Sequence, residues 1–522
     1  MPNAIDRQIL DADRAWPVRD VKRGMTCDLE KNVERVRPRG SSSGETPPAD
    51  SVEARALNPW LVVALVSIGA FLGQFDASVV QLALPTLGKT FDASLETVSW
   101  VALAYLVSFA SCLPIFGRLC DMFGRKSLYL IGYLLFVFAS SLCGLASDID
   151  WLILFRVLQG VGGSLLGANS IAILVSSVGK DQQGRALGFF AAAQAVGMSA
   201  GPAVGGLLLA SLGWRWLFWV CVPIGIIAAA IGWLALPQTK VLNERATFDW
   251  RGALLLGPAL ICLVLVLNQV SAWGAASPAT LFLIALSVVL MALLVRQERG
   301  SPSPLVDLRL FQSKGFSFGA IAVLLGYAML YGMFFLISFA LEHGYGDSPL
   351  AAGLRLAIIP VALGVTAPFG GSLSDRLGAR MLSGAGMTLC CVALAVLGFA
   401  IVSQSASRTP DAVAFALFGA GLGVFIAPNN HATINAAPKH LAGQAGAMLN
   451  LMRVLGTSIG VASASSTLSW GIQLVTGSYG DWKSFPGSTT LYAVDIGLVM
   501  LACMAAVAGL ISVLRPVEEK AS

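Results

Sequence analysis

The chain has 522 residues, 56% of them hydrophobic and only 12% charged, with a formal net charge of +5. A soluble domain carries about 25% charged residues, so this composition excludes a soluble globular protein, which would have too little polar surface to cover itself. Apolar runs of twenty or more residues recur along nearly the whole length. Each can cross a hydrocarbon core of roughly 30 Å as a helix, and the short alternating segments of a membrane barrel are not seen. The expected class is an all-α polytopic membrane protein.

In chain order, residues 1–58 come first, as a polar tail. Up to Arg55 it holds ten basic and ten acidic residues and the stretch RPRGSSSGETPPAD. It cannot bury enough apolar surface to fold alone, so a disordered cytoplasmic tail is expected. The first apolar run, near Trp60, is too long for a signal-peptide core, and no cleavable signal is expected. Charged and Gly/Pro clusters divide the remainder into fourteen apolar segments: 59–85, 95–117, 128–147, 151–176, 186–210, 216–236, 252–270, 279–296, 316–340, 351–373, 382–403, 411–432, 444–470 and 490–514. With a cytoplasmic N-terminus, the inner loops and the C-terminal end hold seventeen Lys and Arg residues. The outer loops hold four: Lys89, Arg215, Arg408 and Lys483. That asymmetry follows the positive-inside rule and puts both termini in the cytoplasm. The location expected is the cell membrane, meaning the inner membrane in a Gram-negative host.

Segment 1 contains GQFDASVVQLALPTL, which sets Asp76 deep in an apolar helix. Such a carboxylate is either a protonation switch or one half of a structural ion pair. After segment 2 comes GRLCDMFGRK, with Gly117, Arg118, Asp121, Gly124, Arg125 and Lys126. The glycines permit a sharp turn and close helix approach, and Asp121 can pair with basic groups or cap the next helix. Segment 4 contains FRVLQGVGGSLLGANS. Arg156 there costs a few kcal/mol in mid-bilayer, so it is paired and functional, or it snorkels to the outer interface. Gln159 lies beside it, and Gly160, Gly163, Gly167 and Ser170 form a seam along which another helix can approach. In segment 5, Gly197, Gly201 and Gly205 recur every four residues, Pro202 can bend the helix, and Gly206 follows.

The charged punctuation returns 254 residues on, as GSLSDRLGAR, with Gly371, Asp375, Gly378 and Arg380 kept and Ser372 where Arg118 stood. It follows segment 10 as the first copy follows segment 2. The chain thus reads as a six-helix half over 59–236, a linker with two extra membrane helices over 237–315, a second six-helix half over 316–514, and a tail over 515–522. Late in the chain, Gly446, Asn450, Arg453, Thr457 and Gly460 share one helical stripe. Glu342 ends segment 9 as a substrate-access acid or a solvated rim residue. Asp495 in segment 14 is a secondary charge site or is solvated at the outer interface. Asn429 and Asn430 end segment 12, where they can line an inner vestibule.

Two parallel six-span halves are the plan of one large transporter group. Over residues 59–514 the chain resembles the major facilitator superfamily, and within it the fourteen-span drug:proton antiporter family. The resemblance implies that the two charged loops latch the cytoplasmic ends of the halves. It implies that Arg156-Val-Leu-Gln159-Gly160 takes part in proton transfer. It also implies that Asp76, followed by Ala83-Leu84-Pro85, handles protons or cations. Gly197-x-x-x-Gly201-Pro202-x-x-Gly205-Gly206 resembles the signature of exporters. Two departures are Gln81 and Cys221, each where an Asn is more usual. The function implied is proton-coupled export of amphipathic organic compounds by alternating access. Export of one dedicated metabolite or siderophore-like solute fits the same motifs, and a non-transporting membrane sensor is a third reading. The partners implied are a small-molecule substrate, protons and the lipid bilayer, with an accessory export partner left open and no nucleic acid.

No cofactor is expected. The nearest match to a phosphate-cradling loop is ALPTLGKT, where Ala83 occupies the first required glycine. The nine cysteines form no CxxC pair and the three histidines show no metal spacing. No nucleophile–base constellation appears in the spans, so an enzyme is not expected.

Overall fold

A computed structural model describes residues 58–236, 248–301, 304–402, 409–438, 441–477 and 481–516. The N-terminal tail apart from Asn58, the early part of the central linker and most of the C-terminal tail lie outside the described residues. Among the described residues, fourteen helices are long and apolar enough to cross a membrane: span 1 Pro59–Thr90, span 2 Leu95–Phe123, span 3 Arg125–Leu145, span 4 Ile149–Ser177, span 5 Gln183–Ser211, span 6 Trp216–Ala235, span 7 Trp250–Trp273, span 8 Pro278–Gly300, span 9 Lys314–Gly344, span 10 Pro349–Ser374, span 11 Ala379–Val402, span 12 Thr409–Asn435, span 13 Gln444–Thr476 and span 14 Gly487–Leu514. No strand occurs among the described residues.

Local chemistry sets where the helices start. Asn58, Ser277 and Ser348 each accept a backbone N–H with the side chain, directly before a proline at the first helical position. An orphan donor is thereby satisfied, and proline's fixed φ and missing N–H cost nothing there. The outward faces carry large apolar side chains such as Leu134, Phe138, Ile227, Val288 and Phe399, all exposed. Lipid solvates these faces, which accounts for a composition that water could not support.

Several segment ends differ from expectation. Span 1 runs to Thr90 instead of residue 85, because Pro85 sits inside the helix. Its missing N–H removes one bond near the helix end without stopping the helix. Span 2 continues to Phe123 through most of the charged loop. Gly117 therefore lies within a helix, and nothing comes within 4 Å of where its Cβ would be, so it serves neither as a turn nor as a close contact. Gly124 alone makes the turn, with φ 92° and ψ 139°. The second copy does the same: Gly371 is unobstructed, and Gly378 turns with φ 82° and ψ 141°. Span 9 ends in one π-helical turn, Ala340–Gly344.

The repeat is also visible in the packing. Span 1 packs on span 5 as span 9 packs on span 13. Span 4 lies against spans 2 and 3, and span 12 against spans 10 and 11. Span 6 lies on span 3, and span 14 on span 11. The two halves meet through span 2 on span 13 and span 5 on span 10, contacts that exchange under the same correspondence. Spans 7 and 8 fall outside this symmetry. Span 7 touches span 2 and span 13, one from each half, and span 8 packs chiefly on span 7. Asn268 of span 7 donates to Ser99 Oγ of span 2 at 2.7 Å.

Candidate functional site

Asp76 and Arg156 meet in the first half. Arg156 Nη1 lies 2.6 Å from Asp76 Oδ2, with the two side chains 1% and 0% exposed. Arg156 therefore pairs instead of snorkelling. The network is closed on all sides. Gln159 Nε2 donates to Asp76 Oδ1 at 2.9 Å and to Ser140 Oγ at 2.8 Å. Arg156 also donates to Gln159 Oε1 at 2.6 Å and to the Val101 carbonyl at 2.8 Å. Its guanidinium stacks on Tyr105, 4.4 Å from the ring centroid. Helix geometry explains the meeting: Arg156 and Gln159 share one face of span 4 at a spacing of three.

Glycines bring the helices this close. A Cβ at Gly160 would lie 2.4 Å from the Tyr105 carbonyl, and one at Gly163 2.9 Å from the Tyr105 hydroxyl, so the span 4 seam receives span 2. In span 5, a Cβ at Gly197 would come 2.5 Å from the Phe71 carbonyl, at Gly201 1.9 Å from Ser78 Oγ, and at Gly205 2.4 Å from Val79 Cγ2. These three face span 1. Gly206 faces span 10 of the other half, where its Cβ would lie 2.5 Å from the Pro349 carbonyl. Pro202 lies on the same contact, its carbonyl 2.2 Å from a Cβ at Gly353.

Between the halves lies a cavity of about 280 Å³. Both halves line it: Gln74, Tyr105 and Phe109 from spans 1 and 2, Tyr327 and Tyr331 from span 9, and Asn450 and Arg453 from span 13. It reaches toward the end of the bundle that carries the basic loops, to Gln194, Ile434 and Gly446. Tyr105 is the partition between this cavity and the buried ion pair, lining one and stacking on the other. Of the late-span stripe, Gly446, Asn450, Arg453 and Thr457 line the cavity. Gly460 packs instead on span 9, where a Cβ would sit 2.1 Å from the Ala328 carbonyl.

The opposite end is shut. Thr86 Oγ1 donates to Glu342 Oε2 at 2.8 Å, across the two halves. Ser469 Oγ donates to Glu96 Oε1 at 2.6 Å, and Trp482 Nε1 to the Ala93 carbonyl at 3.3 Å. Lys483 pairs with Asp92 and with Asp481. Burial pulls the Lys483 ammonium down, but the hydrogen bonds to Asp92 and Asp481 outweigh it and hold the group above its ordinary value.

Other candidate residues are placed elsewhere. Glu342 is not a solvated rim residue: it is 7% exposed, on the π-helical turn, at the shut end. Asn430 lines the cavity, but Asn429 is buried away from it, donating to the Gly319 carbonyl at 3.0 Å. Gln159 belongs to the ion-pair network and not to the cavity wall. Asp495 faces span 11, with Oδ1 2.6 Å from where a Cβ at Gly398 would be, and does not line the cavity. In the first charged loop Arg125 pairs with Asp121 at 3.0 Å, within the loop itself. Arg380 donates to the Val513 carbonyl at the end of span 14. Arg118 lies near the end of span 2, Lys126 opens span 3, and Asp375 lies just past Ser374 in the last helical turn before Gly378. Tyr105, Tyr327, Tyr331, Gln74 and Gln194 were not expected at the site. They are uncharged side chains in apolar helices, and only knowledge of which faces converge picks them out.

A family model described as Major Facilitator Superfamily matches residues 66–461. The chain is 30% identical over 407 residues to the riboflavin transporter RibZ of Clostridioides difficile (strain 630), covering 78% of this chain and 88% of that one. It is 30% identical over 416 residues to the tetracenomycin C resistance and export protein of Streptomyces glaucescens, covering 80% and 76%. It is 30% identical over 411 residues to the multidrug resistance protein Stp of Mycobacterium tuberculosis (strain CDC 1551 / Oshkosh), covering 78% and 76%. Among solved structures, a bacterial homologue of the human lysosomal transporter Spinster, inward-facing and unoccupied, superposes with a TM-score of 0.65 at 16% identity, covering 88% of this chain and 96% of that one. A D-xylose–proton symporter superposes with a TM-score of 0.63 at 15% identity, covering 88% and 98%. Fourteen membrane helices in two repeated halves, a cavity between them and these likenesses lead to one conclusion: the chain is a multi-pass membrane transport protein that belongs to the major facilitator superfamily.

Proposed function

We propose that this transporter is a proton-coupled exporter of amphipathic organic compounds, of the fourteen-span drug:proton antiporter type. Residues 59–236 rock against 316–514 around a substrate held in the central cavity, with 237–315 as the linker. Both termini face the cytoplasm, as the distribution of Lys and Arg favours. The described state is then inward-facing, with its cavity directed to the cytoplasm and its outer end shut.

One observation carries the reading: the buried Asp76–Arg156–Gln159 network lies directly behind a cavity wall formed by Tyr105. A proton arriving at Asp76 cancels the counter-charge of Arg156 in a low-dielectric site, where losing one partner of a buried pair costs about 3–5 kcal/mol. The guanidinium and the Tyr105 ring stacked on it must then re-partner, and Tyr105 is cavity wall. Proton and substrate thus compete through a shared side chain. An inward proton gains about 2.3 kcal/mol per 100 mV of membrane potential, which drives the cycle outward for substrate. The charged loops, whose Asp121–Arg125 pair is now internal, latch the cytoplasmic ends when the outer end opens. The glycine-rich span 5 bears on both span 1 and span 10 and is the surface on which the halves turn.

Purified protein in liposomes under an imposed pH gradient tests this. Wild type moves a fluorescent amphipathic probe against proton flow, and Asp76→Asn abolishes both movements together. Proton-coupled transport that survives in Asp76→Asn rules out this network as the coupling site. A second reading, transport of one dedicated metabolite, draws on the likeness to a riboflavin transporter. It predicts transport saturating with one solute and indifferent to other amphiphiles.

A further inference from the structure

We infer that the central cavity selects a planar aromatic solute carrying a negative charge, with Arg453 as the group that receives that charge. The inference rests on the reading of the cavity as the substrate site and names the class of substrate it takes.

The charge balance of the wall comes first. Among the described residues lining the cavity there is no Asp and no Glu, and Arg453 is the single charged side chain. The nearby buried charges cancel, because Asp76 is consumed by Arg156 at 2.6 Å. No carboxylate among the described residues lies within ion-pair distance of Arg453, whose guanidinium sits 5.9 Å from the centroid of the Tyr327 ring. A guanidinium with no carboxylate beside it gives the cavity a positive potential, and the planar fork fits a carboxylate with two parallel hydrogen bonds. A cationic solute meets the same potential as repulsion.

The rest of the wall sets the shape. Tyr105, Phe109, Tyr327 and Tyr331 line the cavity from both halves. Aromatic faces favour a flat ring system held between them. Tyr331 already bonds Gln74 Oε1 at 3.3 Å across the cavity, so a flat solute separates or replaces that contact. Side-chain amides and hydroxyls supply the remaining polarity, from Gln74, Gln194 and Asn450 and from Ser170 and Thr457.

Binding to the purified, detergent-solubilised full chain at neutral pH tests the inference, using three probes of one shape: 2-naphthoate, 2-naphthamide and 2-naphthylmethylammonium. Wild type is expected to bind the acid at least about 10-fold more tightly than the amide, since a charge-assisted hydrogen bond contributes roughly 10- to 100-fold. The ammonium probe binds weakest. Arg453→Gln removes the preference for the acid over the amide, and Arg453→Lys keeps part of it. A size-exclusion profile and thermal unfolding that match wild type check that each variant is folded. An ammonium probe that binds as well as the acid overturns the inference, as does an acid preference that survives in Arg453→Gln. The exporter reading fails separately. Acid-selective binding without proton-coupled movement in liposomes refutes the exporter and leaves the selectivity intact. Proton-coupled movement of the ammonium probe alone refutes the selectivity and leaves the exporter intact.

Discussion

Replacing Asp76 by Asn removes one charge from a site that holds two, with almost no change in shape. Breaking a buried pair from one side costs about 3–5 kcal/mol. The structure argues for the low end here. Arg156 keeps the Val101 carbonyl, Gln159 Oε1 and the Tyr105 face, and the asparagine still offers one oxygen. The expected loss of unfolding free energy is about 3 kcal/mol. Arg156→Met strips Asp76 of its cation and leaves it only the Gln159 amide, for a loss of about 4 kcal/mol. The double variant has no charge to strand. Its loss should fall short of the sum by about 2–3 kcal/mol, within the range of couplings measured for residues in direct contact. Denaturant titration of the purified protein in micelles, followed by tryptophan fluorescence, measures all four corners of the cycle. Single losses below about 1 kcal/mol with no coupling would refute the reasoning, because they would mean that water or another group already neutralises the site.

Gly201→Ala is expected to destabilise the protein by about 1–3 kcal/mol, the usual range for overpacking. Ser78→Ala should not rescue it, since the new Cβ also meets Ser78 Cβ at 2.9 Å and Val79 N at 3.0 Å; thermal denaturation of the single and double variants decides this. Cysteines placed at Thr86 and Glu342, joined by a short bifunctional thiol reagent, should lock the shut end and stop transport, with recovery when a cleavable linker is cut. Undiminished transport in the cross-linked protein refutes the assignment of that contact to the gate.

The membrane spans were legible because hydropathy needs only composition over a window of about twenty residues. The Asp76–Arg156 pair was half legible. Each charge stands out in its own apolar run, but nothing along the chain says that positions 76 and 156 meet. The duplicated charged loop told of two halves. It misled on Gly117 and Gly371, which the motif presents as turn residues and the fold leaves inside helices. The cavity was hardly legible at all. Its tyrosines and glutamines look like ordinary helix residues, and their role depends on the rotation about their axes of the eight helices that line the cavity. Asn429 and Asn430 show the limit well. They are adjacent and chemically identical, and the rotation of about 100° between neighbours on a helix sends one into the packing and the other into the cavity.

The added helices have a mechanical consequence. Span 7 is bonded to the first half at Ser99 and lies against the second half at span 13. In a rocking cycle it cannot stay at rest relative to both. In the proposed cycle it moves against at least one of them, so part of each stroke is friction along one sliding face of span 7. Shape changes along that one sliding surface should alter the pace of the cycle and leave the solute's grip untouched, giving this transporter a throttle separate from its lock.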